Sequence, residues 1–299
     1  MLDRLTAQAP KLATYPLLGR VASFIGGLLA LWLPVAAVTC LPLVVSLGWT
    51  HNLTNLMAVL TLYLAILAAM WNWGRRVRGY QRPLAAYGWC WNRGMVKDLA
   101  LGVTIAVATF SLLHGIYGLL GWFRWEFKPD TPWLAVWLNG LLNGVGIAFL
   151  EELFFRGWFL AEFRHSMPLK QAAAWTSAIF ATLHFLKPLE AVLATWPQWP
   201  GLWLLGMTMV QARAIGRAQP GSLGLSIGMH GGWVCTITVL SLSGMGRYND
   251  AVPAWLTGIG GNPLASVSGL VFMAIVFGAL RWRSLQQPTG SINPIPPTV

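Results

Sequence analysis

The sequence predicts an all-α, polytopic membrane protein of about eight transmembrane helices with both termini cytoplasmic. Three observations predict it. Hydrophobic residues make up 56% of the chain against only 9 Asp and Glu. Apolar runs of roughly 18 or more residues recur along the chain, and the basic residues sort to one side of those runs. Such a composition is too apolar for a soluble domain of 299 residues. Inside hydrocarbon the backbone has no water to bond, so each run must satisfy its own N–H and C=O groups, and a helix does so.

The first segment, 19–47, contains a run from Val21 to Leu47 that is too long for a secretory leader and lacks a small-residue cleavage site, so it reads as a retained anchor. "AVTC" before Leu41 is a poor lipidation signal, because Thr39 stands where a small residue is wanted. Segment 54–73 follows, then the largest inner connection, Gly74 to Lys97. There "WGRRVRGYQRP" reads as a basic patch facing anionic lipid, and "YGWCWNRG" as a short interfacial stretch. The remaining apolar segments are 97–120, 133–155, 170–186, 199–218, 221–243 and 264–282. Trp49, Trp71, Trp73, Trp122, Trp133, Trp158 and Trp203 stand near segment ends, as in an aromatic belt at the headgroups. No repeat or soluble domain is evident, so residues 1–299 read as a single transmembrane domain. The polar, Pro-rich tail at 284–299 is expected to be disordered.

Charge tests that division. With the N-terminus inside, the cytoplasmic side receives Arg4, Lys11 and Arg20, the six basic residues from Arg75 to Lys97, then Arg156, Arg164, Lys170, Arg213, Arg217, Arg281 and Arg283. That is 16 of the 20 Lys and Arg. The outer loops hold Arg124, Lys128, Lys187 and Arg247, each accompanied by acids. The positive-inside rule thus accounts for the net charge of +11 through lipid, with no nucleic-acid partner implied. Cys40, Cys90 and Cys235 are widely spaced and odd in number, suggesting helix packing rather than disulfides or a zinc cluster.

Polar groups interrupt three of the segments: Glu151 and Glu152 in the fourth, His184 in the fifth and His230 in the seventh. Ionisable residues at membrane depth are costly, so each marks a candidate functional position. Gly224, Gly228 and Gly232 on the seventh segment, and Gly140 and Gly144 on the fourth, repeat every four residues. Such ridges let helices approach closely, and they are expected to bring His230 to the Glu pair. Glu152 and Arg156, four apart, can pair along one helix face. Glu151 projects about 100° away from Glu152 and can face a cavity. Asn139 and Asn143 are expected to face the same cavity. His114 has no motif around it and reads as a packed helix residue.

A carboxylate and an imidazole can together deprotonate a water, while a second imidazole bonds the oxyanion formed on a carbonyl. Alternatively, Glu151, His184 and His230 could hold a divalent metal such as zinc with an open position. No pair of His residues is spaced as in the H-E-x-x-H helix, and no cofactor is certain.

"EELFFR" at 151–156 matches E-E-x-x-x-R, "FATLH" at 180–184 matches F-x-x-x-H, and "HGGWV" at 230–234 matches the first position of an H-x-x-x-N/D motif. In these motifs the chain resembles the CPBP family of intramembrane endopeptidases, which includes type II CAAX prenyl proteases and bacteriocin-processing or immunity proteins. The motif-bearing core covers about residues 133–243. The resemblance implies that Glu151 and His184 activate the attacking water, that His230 serves the oxyanion or a supporting role, and that Glu152 and Arg156 support the site. Val234 stands where the family has Asn or Asp, so Asn143 or Thr236 would have to supply the missing donor, or activity is weakened.

The expected function is therefore an intramembrane peptidase of a bacterial inner membrane, cutting a membrane-associated protein or peptide. The alternative is a non-proteolytic relative acting as an immunity or scaffold protein. A proton-coupled transporter would show inverted repeats, and the sequence has none.

Overall fold

The computed structural model describes residues 10–218 and 221–286. The protein is all-α and polytopic, and among the described residues six helices are long and apolar enough to cross a membrane: Leu17–Leu47, Asn52–Arg76, Arg93–Leu119, Trp133–Arg164, Gly224–Ser243 and Val267–Leu285. The two other predicted segments form shorter helices, Leu169–Leu183 of 15 residues and Trp199–Ala214 of 16. The tail expected from 284 onward lies outside the described residues from 287, while Ser284 and Leu285 close the last helix.

The chain divides into two compact units. The first comprises the described residues up to Tyr87 together with Ala161–Ser166. It holds α1 (Leu17–Leu47) and α2 (Asn52–Arg76), the latter capped by the His51 side chain, which accepts from the Leu53 N–H. Phe24 of α1 meets Trp73 of α2 edge to face, with ring centroids 5.7 Å apart. Glu162 is buried in this unit and accepts from Arg20 Nε at 2.9 Å, Trp73 Nε1 at 2.8 Å and Arg78 Nε at 2.9 Å. A buried carboxylate persists only when its lone pairs are met this fully. Its partners come from two separate stretches of chain, around Arg20 and around Trp73 and Arg78, so Glu162 ties them together.

The second unit comprises Gly88–Leu160 and the described residues from Met167 onward. In chain order it contains α3 (Arg93–Leu119), β1 (Phe123–Trp125), α4 (Trp133–Glu151), α5 (Leu169–Leu183), α6 (Leu189–Thr195), α7 (Trp199–Ala214), α8 (Gly224–Ser243), β2 (Gly246–Tyr248) and α9 (Val267–Leu285). Asn92 caps α3 by accepting from the Met95 N–H at 2.9 Å, and Ser266 caps α9 from the Gly269 N–H at 2.9 Å. β1 and β2 pair antiparallel, Phe123 opposite Tyr248 and Trp125 opposite Gly246.

α8 is the axis of this unit and packs on both α3 and α4. A Cβ added at Gly228 would run into the Leu99 carbonyl, and one at Gly232 would come within 2.5 Å of Ala106 Cβ. The Gly224, Gly228 and Gly232 ridge therefore faces α3, not the Glu-bearing α4 as expected from sequence. Contact with α4 falls instead to Gly231 and Cys235, which meet Gly144 and Gly140. Helical spacing places a ridge without saying which neighbour it meets. Phe180 and Ala181 of α5, Leu205 and Met209 of α7, Leu225 and Met229 of α8 and Met273 of α9 close one core.

His114 is fully buried, its Nδ1 3.0 Å from the Phe110 carbonyl and its Nε2 3.1 Å from the Tyr248 hydroxyl.

Candidate functional site

The site grows out of an irregularity in the fourth span. α4 ends at Glu151, and residues Glu152–Phe159 continue as a π-helix before regular α-helix resumes at Leu160. π-Helical turns are rare and gather at functional positions, because the wider turn re-aims side chains. Here the change of geometry falls between the two neighbouring glutamates.

Glu152 points inward and is completely buried. Its Oε1 lies 2.9 Å from Arg156 Nη1 and 2.8 Å from His230 Nδ1. A carboxylate only accepts, so Nδ1 carries the proton and Nε2 is the nitrogen presented to the site. That Nε2 stands 3.8 Å from Oε2 of Glu151, whose side chain remains 28% exposed. Oε2 of Glu151 has no hydrogen-bond partner among the described residues. One glutamate thus fixes the site while its neighbour faces the cavity.

His184 closes the C-terminus of α5, its Nδ1 2.8 Å from the Phe180 carbonyl. A carbonyl also only accepts, so Nδ1–H is the donor and Nε2 is left for chemistry. Phe180 itself is central. Its ring meets His184 at 4.6 Å and His230 at 6.3 Å between centroids, and the Arg156 guanidinium lies over it at 4.3 Å. The first position of the F-x-x-x-H motif therefore packs against both histidines and Arg156.

Glu151, His184 and His230 line one cavity of about 300 Å³. Its other walls are mainly apolar, including Leu202 and Leu205 of α7 and Phe272 and Met273 of α9. Such walls exclude water and strengthen electrostatics at the polar end. Val234 also lines the cavity. Neither donor considered as its substitute serves there. Asn143 is exposed and is not among the lining residues. Thr236 lines no wall either, and its hydroxyl donates to the Gly232 and Trp233 carbonyls of its own helix, at 3.0 Å each. Asn139, expected to face the cavity too, is likewise exposed and donates to the Ala135 carbonyl at 2.8 Å.

Sequence reasoning missed Thr109 of α3, which lines the cavity and accepts from Trp233 Nε1 at 2.9 Å. An isolated Thr in an apolar helix carries no signal, since most such hydroxyls bond back to their own turn. Among the described residues, no group of three or more His, Cys, Asp or Glu side chains is arranged to hold a metal ion.

Residues 131–236 match the family model of type II CAAX prenyl endopeptidase Rce1-like proteins. No curated protein and no solved structure gives a match. The matched stretch contains all three motifs and supports a CAAX-type intramembrane protease in general terms.

Proposed function

We propose, from the family match over residues 131–236, that the protein is an intramembrane endopeptidase in which Glu151 is the general base. The observation that carries this reading is the division of labour between the two glutamates. Glu152 is fully buried with its Oε1 held between Arg156 and His230, while Glu151 remains partly exposed on the cavity wall, its Oε2 3.8 Å from His230 Nε2.

In the proposed reaction a water held between Glu151 and His184 Nε2 gives a proton to Glu151 as its oxygen bonds the scissile carbonyl carbon. The carbonyl π pair moves onto oxygen, and a protonated His230, donating Nδ1–H to Glu152, turns Nε2–H toward that oxyanion. Collapse breaks the C–N bond, and the proton taken by Glu151 passes to the leaving amine. Arg156 and Phe180 act through the residues they hold. The substrate is a membrane-associated protein or peptide unwound at the cut, because a helix hides its carbonyls. The setting proposed is a bacterial inner membrane, with the basic loops facing the cytoplasm.

One observation favours a second reading. Val234 places an apolar side chain on the cavity where the family carries Asn or Asp, which suits a non-proteolytic immunity or scaffold protein. Comparing the termini of membrane proteins in cells carrying the wild type, Glu151→Ala and His184→Ala, at matched abundance, separates the two. Processed ends that vanish in both variants support the peptidase. Unchanged ends with an altered partner abundance support the scaffold.

A further inference from the structure

Asn143, excluded from the cavity, lies on a row that leads into it. Asn139, Asn143, Ile147 and Glu151 are spaced four apart on α4, so they form one inclined ridge of that helix. Its lower members, Ile147 and Glu151, line the cavity, and its upper members are exposed. The face around them is apolar, with Leu142 72% and Val145 59% exposed. The Asn143 amide has no hydrogen bond to the described residues. The Asn139 amide spends one N–H on Ala135, leaving its oxygen and a second N–H. Exposed carboxamides within a span of this hydropathy are costly without a partner.

Resting on the peptidase reading, we propose that Asn143 and Asn139 form a backbone-binding row that receives the unwound part of the substrate next to the scissile bond. A carboxamide carries one acceptor oxygen and two N–H donors, the complement of a peptide group. An unwound segment in hydrocarbon has peptide groups in need of such partners. The ridge sets the register. Asn143 is eight residues, or about 12 Å, along the axis from Glu151. An extended peptide covers that in about four residues, and reaches Asn139 in about five or six. The row thus selects for a segment that stays extended over that length on one side of the cut.

The probe is the membrane protein with the most abundant Glu151-dependent terminus, coexpressed from a titratable promoter with wild type, Asn143→Leu, Asn143→Gln or Glu151→Ala. At low substrate level Asn143→Leu should lower processing by about tenfold, the scale of one lost amide hydrogen bond. Processing should recover as the substrate level is raised, the signature of lost binding rather than lost chemistry. Asn143→Gln should restore most of it. A photoreactive benzoylphenylalanine at position 143 in the Glu151→Ala background should label that substrate about four residues from the cut, whereas one at Leu142 should not. Wild-type processing by Asn143→Leu, or labelling that joins two copies of the chain, overturns the row while leaving the peptidase reading intact. Absence of any Glu151-dependent terminus overturns both.

Discussion

His230 donates from Nδ1 to Glu152 at 2.8 Å and presents Nε2 to Glu151 at 3.8 Å. One imidazole is therefore anchored by a carboxylate that sees no solvent and aimed at one that borders the cavity. Substitutions at two adjacent positions should consequently behave in opposite ways.

Glu152→Ala should destabilise the fold strongly, because it strands the Arg156 guanidinium, itself only 2% exposed. Breaking a buried pair from one side costs about 3–5 kcal/mol. Glu151→Gln, at a partly exposed position, should change stability by less than about 1 kcal/mol. Thermal unfolding of both variants in detergent checks the contrast.

Phe180→Leu should keep the fold but impair processing, since the smaller side chain loses the Arg156 stacking and the face against which His184 packs. Phe180→Ala should cost about 3–5 kcal/mol of stability as well. The ratio of processing rate to folded protein in the two variants distinguishes positioning from collapse.

The α3–α8 contact predicts a glycine contrast. Gly228→Ala forces a methyl group against the Leu99 carbonyl and should destabilise by about 1–3 kcal/mol. Gly115→Ala on α3 meets nothing within 4 Å and should be neutral or stabilising by up to about 1 kcal/mol. Melting temperatures of the paired variants test which face of each helix is packed.

His165, just beyond the fourth span, is held down to about 4 by burial first and by the Arg78 charge next, with Arg20 and Arg164 adding to it and Glu162 opposing. A histidine with a folded value below its ordinary 6.5 is neutral in the native state. Below pH 6.5 the unfolded chain binds the extra proton, so stability falls between about 6.5 and 4. His165→Asn, which cannot titrate, should show a shallower loss of unfolding midpoint over that window.

Much of the site was legible because ionisable residues stand out in apolar helices. Glu151, Glu152, His184 and His230 stand out on that ground, and Arg156 by its four-residue spacing from Glu152. Their partition into anchored and cavity-facing groups was less legible, because it depends on the π-helix that opens at Glu152. "ELFFRGWF" reads as ordinary α-helix until tertiary packing widens it. Asn143 was misplaced because helical phase alone cannot say which face meets a neighbour. Phe272 and Met273 could not be found at all, since apolar side chains that line a cavity are the same types that face lipid. The paired strands at Phe123–Trp125 and Gly246–Tyr248 were also missed, being three residues each and just over 120 positions apart in the chain.

Cleavage in vesicles decides whether Glu151 is the base of a peptidase. The purified full chain is reconstituted with the substrate identified from cellular termini, and wild type is compared with Glu151→Gln at equal folded amount, with and without a metal chelator. Wild type should cleave with or without chelator, and cleavage should fall by at least about a hundredfold in Glu151→Gln, the scale of a general base. Cleavage by Glu151→Gln at the wild-type rate would contradict that role for Glu151.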